Sequence, residues 1–106
     1  MSTHTITTAA RRIAREVNET PTTLEIRFNA DGSVYSVNPK GLWPAEGPDV
    51  YFLRLQGRKG QTALSQARAQ LLIDTMAEAI EKTDDAASAR LLAEDLVHEA
   101  DFEAGR

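Results

Sequence analysis

The sequence predicts an α+β domain, a three-stranded antiparallel sheet packed by helices in the order α-β-β-β-α-α. Three observations carry this expectation. Apolar residues recur at helical spacing at both ends of the chain. A stretch of strict alternation leads into an Asn29-Ala30-Asp31-Gly32 turn. Pro39, Gly41, Pro44, Gly47 and Pro48 then interrupt any regular structure before a third apolar run. A chain of 106 residues has the size of one domain and buries enough surface for a core without staples. Residues 1–106 therefore read as a single domain, with residues 1–7 either a flexible end or a short edge strand.

The first helix is expected over Thr8–Asn18. Ile6, Ala10, Ile13 and Val17 share one side, and Arg11, Arg12 and Arg15 fall on the other. Thr7 and Thr8 are candidate N-caps. Pro21 ends the pattern. Thr22–Phe28 then alternates, which predicts a strand with Leu24, Ile26 and Phe28 inward and Thr23, Glu25 and Arg27 outward. A second strand over Ser33–Val37 closes a hairpin. A two-residue Asp31-Gly32 turn would put Tyr35 and Val37 beside Leu24, whereas a three-residue loop would put Val34 and Ser36 there. Tyr35 and Val37 bury more apolar area, which favours the first. A loop spans Asn38–Asp49, and Val50–Leu55 reads as a third strand, buried or nearly so.

Thr62 is expected to open a long helix ending near Lys82. Ala69, Leu72, Ile73, Met76 and Ile80 form one stripe; Leu64, Ala67 and Leu71 form another. A helix apolar on two sides is covered on two sides, so it should lie on the sheet and also receive the last helix. Thr83-Asp84 reads as a cap before that helix, expected over Asp85–Asp101. Ala89, Leu92, Ala93, Leu96, Val97 and Ala100 make its inward stripe, with alanines small enough for close approach.

Composition bounds the function. No cysteine is present, which excludes disulfides, thiolate zinc sites and a thiol nucleophile. No apolar run approaches the ~20 residues of a bilayer crossing, and the first residues lack a signal-peptide pattern. A cytoplasmic protein without a membrane partner is expected. The net charge of −4 is unevenly divided, about +2 over residues 1–60 and −6 over residues 61–106. Such a chain offers an acidic end to a basic partner.

Three surface features follow. Arg58, Lys59 and Gly60 lie in a glycine-flanked turn before a helix, a setting that suits an anion. It is not a P-loop, because Gln61 stands where that motif needs lysine. Trp43 in the Pro/Gly loop is a candidate binding anchor. Leu91, His98 and Phe102 form a strip on the last helix, flanked by Glu94, Asp95, Glu99 and Asp101, which resembles a contact surface for a protein partner or a second copy.

The element order through Ile80 resembles the double-stranded RNA-binding domain, over about three-quarters of the chain. That resemblance is topological, and it implies basic residues at the start of the last helix that reach phosphates. The lysine cluster would fall near Gly60–Ala67, where the sequence reads Gly-Gln-Thr-Ala-Leu-Ser-Gln-Ala, with Arg58 and Lys59 close by. Duplex binding should therefore be weak at physiological salt.

An enzyme is not expected. His4 and His98 are the only histidines, and His98-Glu99 lacks the second histidine of a zinc helix. No catalytic, metal or cofactor residue is assigned. The expected function is a non-enzymatic interaction module, a small regulator or inhibitor acting by surface occlusion. Its acids would imitate nucleic acid, as in anti-CRISPR proteins. The alternatives are a nucleic-acid or phosphate binder using Arg11, Arg12, Arg15, Arg58 and Lys59, a homodimer through the Leu91/Phe102 strip, and a small enzyme whose site only the fold assembles.

Overall fold

The computed structural model describes residues 5–39 and 50–103. Trp43 lies outside them, as does the side chain of Phe102. The elements are α1 (Thr8–Glu19), β1 (Thr23–Phe28), β2 (Val34–Pro39), β3 (Tyr51–Gln56), α2 (Gln66–Lys82) and α3 (Ala86–Glu103). This is the α-β-β-β-α-α order that the sequence predicts, closed as an α+β fold.

Thr7 caps α1, its hydroxyl accepting from the Ala10 amide at 3.2 Å. A threonine cap contributes about 1 kcal/mol. The same residue is tethered to α2, because Gln70 Oε1 accepts from both the Thr7 amide and hydroxyl, at 2.9 and 2.8 Å. Gln70 is buried, so this contact satisfies a polar group removed from water. Ala10, Ile13, Ala14 and Val17 form the buried side of α1.

The sheet has the order β2-β1-β3 with both pairings antiparallel. Leu24, Ile26 and Phe28 of β1 stand opposite Leu55, Leu53 and Tyr51 of β3. On the β2 side, Ile26 pairs with Val37 and Phe28 with Val34, with a bulge between them. Tyr35 is the extra residue and is 71% exposed. The inward placement expected for Tyr35 is therefore corrected. A bulge shifts the side-chain alternation by one, so Val34 and Val37 share the apolar face. The hairpin tip rests on α2. Gly32 has φ +88°, and a Cβ there would come within 2.6 Å of the Ala77 side chain.

β1 departs from the expected alternation, because Glu25 and Arg27 are buried. The outward reading of these two residues is corrected. As the central strand, β1 has neighbours on both sides, and its second face is covered as well as its first.

α2 begins at Gln66 rather than Thr62. Ser65 is the cap, its hydroxyl accepting from the Arg68 amide at 3.0 Å. The segment before it is held by Asn18, whose side-chain amide bonds to both backbone groups of Leu64, at 3.0 and 2.7 Å. Thr83 closes α2, and its hydroxyl donates to the Ala79 carbonyl at 2.7 Å. The cap of α3 is Asp85, one residue beyond the expected pair. Its carboxylate accepts from the Ser88 amide and hydroxyl at 2.8 and 3.0 Å. Its pKa is lowered, chiefly by the Ser88 amide.

One core unites these elements. Val17, Leu24, Ile26 and Met76 are fully buried at its centre. Ala79, Ala89 and Ala93 are buried where α2 meets α3, and α3 also reaches β3. α2 is thus covered on more than one side, as its two stripes predict.

Candidate functional site

The docking of α3 creates two depressions, one on each of its flanks. The first lies between α3 and β3. It begins at the second face of the sheet, where residues of like parity project together. Glu25 is 0% exposed, and each of its oxygens meets an arginine: Arg27 Nε donates at 2.6 Å and Arg54 Nη2 at 3.4 Å. Arg54 also lies over the Phe52 ring, 4.8 Å from its centre. Arg90 arrives from α3 and lies over the same ring at 4.3 Å. Such cation–π contacts contribute roughly 0.5–2 kcal/mol. Arg90 Nε is buried without a hydrogen-bond acceptor. Beyond these cations the cleft has a volume of about 440 Å³, with Leu55, Leu72 and Val97 as apolar walls and Glu94 and His98 on its α3 side.

Asp101 closes the far end of this cleft. Arg68 of α2 grips its carboxylate with both terminal nitrogens, Nη2 reaching Oδ2 at 2.9 Å. A bidentate fork of this kind is among the stronger side-chain pairs. The hydrogen bond to Asp101 raises the Arg68 pKa above its usual value. Asp101 is therefore a strap between two helices rather than part of an outward acidic edge.

The second depression lies between α3 and the outer side of α2. It has a volume of about 530 Å³, and Ala67, Leu71, Leu96 and Ala100 contribute an apolar floor. Asp74 and Glu78 of α2 stand on one side and Glu99 of α3 on the other. All three acids are exposed. Lys82 bonds to Glu78 at 3.0 Å one turn along the helix. Leu91, 65% exposed, and Asp95 occupy the crest of α3 between the two depressions.

The strip read from the sequence is thus divided. Glu94, His98 and Asp101 face the β3 cleft, Glu99 faces the α2 groove, and Leu91 and Asp95 face outward.

The turn carrying Arg58, Lys59 and Gly60 lies elsewhere, against the end of α1. Its amides are donated inward: Gly57 to the Thr22 carbonyl, Arg58 to Val17 and Lys59 to Thr20, at 2.9, 2.7 and 3.2 Å. A Cβ on Gly57 would fall 2.0 Å from the Thr20 carbonyl oxygen, so only glycine permits this docking. With those three amides engaged and α2 starting at Gln66, the turn does not lead directly into the N-terminus of the helix.

Phe52, Arg54, Arg68 and Arg90 were not singled out by the sequence. The available signal was Glu25-Ile26-Arg27, opposite charges two apart that share one face of a strand. The partners of that pair come from β3 and α3, which no local pattern connects. Among the described residues, no group of three histidine, aspartate or glutamate side chains is placed to hold a metal ion. No described helix is long and apolar enough to cross a membrane. No protein-family model, curated protein or solved structure matches the chain.

Proposed function

We propose that this chain is a non-enzymatic protein-interaction module, a small regulator or inhibitor that occupies a basic surface of its partner. The observation that carries this reading is the α2–α3 groove, an apolar floor between carboxylates on both sides. An amphipathic basic segment fits it: apolar side chains fill the floor while lysines or arginines meet Asp74, Glu78 and Glu99. The excess of acids over residues 61–106 draws the same partner from a distance. In its sharper form the acid rows imitate a phosphate backbone, as in anti-CRISPR-like inhibitors, and the partner is a nucleic-acid-binding protein.

The test is capture from extract of the native cell, followed by mass spectrometry, with the wild-type chain and a Glu78→Lys, Glu99→Lys variant. The expected result is a defined partner with a basic surface, retained by the wild type and lost by the variant at unchanged thermal stability. Equal capture by both proteins removes the proposal. The competing reading rests on Arg11, Arg12 and Arg15, all exposed along α1. A gel shift with nucleic acid that weakens steeply with salt would favour it. Light scattering distinguishes a homodimer built on the Leu91 crest.

A further inference from the structure

We infer that the cleft between β3 and α3 is a binding site for a small amphipathic carboxylate, distinct from the α2–α3 groove. Three observations converge on it. Arg90 lines the cleft and is only partly buried, so its guanidinium brings a positive charge and further N–H donors to the wall. Phe52 fixes the Arg90 guanidinium at 4.3 Å from its ring, so the cation is held in place before a ligand arrives. Leu55, Leu72 and Val97 line the same space, and its volume of about 440 Å³ is within the range of small-molecule pockets.

The charges select the headgroup. Arg90 supplies one positive charge at the cleft wall, and Arg54 adds a second while remaining bound to Glu25. Glu94 and Asp101 also line the cleft, with Asp101 neutralised by Arg68. Glu94 opposes a doubly charged headgroup more strongly than a single charge. A monoanionic carboxylate therefore fits better than a phosphate, and its apolar body lies along Leu55, Leu72 and Val97.

Amide NMR titrations of the full chain with octanoate, octanol and inorganic phosphate test this. The expected result is saturable octanoate binding with shifts at Phe52, Arg90 and Val97, and at least tenfold weaker binding of octanol and of phosphate. Arg90→Met should weaken octanoate at least tenfold and leave octanol unchanged. Val97→Trp, which fills the cleft, should abolish both. Absent or non-saturable shifts overturn the assignment. So do equal affinities for octanoate and octanol, or shifts confined to Leu71 and Leu96 in the other groove. Should Arg90→Met not fold, the wild-type comparison of octanoate with octanol decides alone.

Discussion

Glu25 sets the chemistry of the sheet's second face. A carboxyl side chain with no exposure depends on the groups that replace water around it, and here Arg27 is the nearer partner, at 2.6 Å against 3.4 Å for Arg54. Removing one member of a buried pair costs about 3–5 kcal/mol. Arg27→Met should therefore lower stability by about 3 kcal/mol in urea unfolding, and a loss under about 1 kcal/mol would contradict this account of the strand. Asp85 gives a pH dependence. Its folded pKa is depressed because the carboxylate accepts from Ser88, so the stabilisation is present above the ordinary aspartate value near 3.8 and is lost as pH falls through the lower folded value. Asp85→Ala should lower the melting temperature at neutral pH and reduce its fall as the pH drops below the ordinary aspartate value of 3.8. An unchanged pH profile would show that the cap contributes nothing. The apolar half of β1 was legible because Leu24, Ile26 and Phe28 alternate. The burial of Glu25 and Arg27 was not, because it depends on β1 being central, and strand order is a non-local property.

At the scale of elements, the junction of α2 with α3 matters most. Ala79, Ala89 and Ala93 are buried there, and side chains this small bring the helix backbones close. Both depressions exist because α3 sits so near α2 while one flank reaches β3. Ala89→Leu should cost roughly 1–3 kcal/mol by overpacking, measured by urea unfolding. An effect near zero would mean that α3 sits more loosely than its buried alanines imply. The inward stripe of α3 and the two covered sides of α2 were readable from periodicity. The start of α2 was misplaced by four residues, at Thr62 instead of Gln66. Residues 62–64 are compatible with helix locally, but Asn18 takes both backbone groups of Leu64 from another element. The Tyr35 bulge was missed for a related reason. A turn sequence limits the loop length, yet whether the flanking strand carries an extra residue is decided by fitting Val34 and Val37 over the same core.

Across the whole molecule, charge and shape are separated in a way the sequence only outlines. The acidic second half was evident from composition, but its division into a strap at Asp101, a cleft edge at Glu94 and a groove edge at Glu99 required the helix placement. A partner held by exposed carboxylates should be released by salt, since exposed charges are screened within about 8 Å at physiological ionic strength and about 3 Å at 1 M. Both proposed sites depend on α3 being a fixed part of the fold. Hydrogen exchange of the α3 amides from Ala89 to Ala100 tests this most directly. The predicted result is protection comparable to that of α2 between Ala69 and Ile80, with both helices opening together near the global unfolding free energy. Exchange of the α3 amides at unfolded-chain rates while α2 stays protected would contradict the account, because neither the cleft nor the groove would then persist.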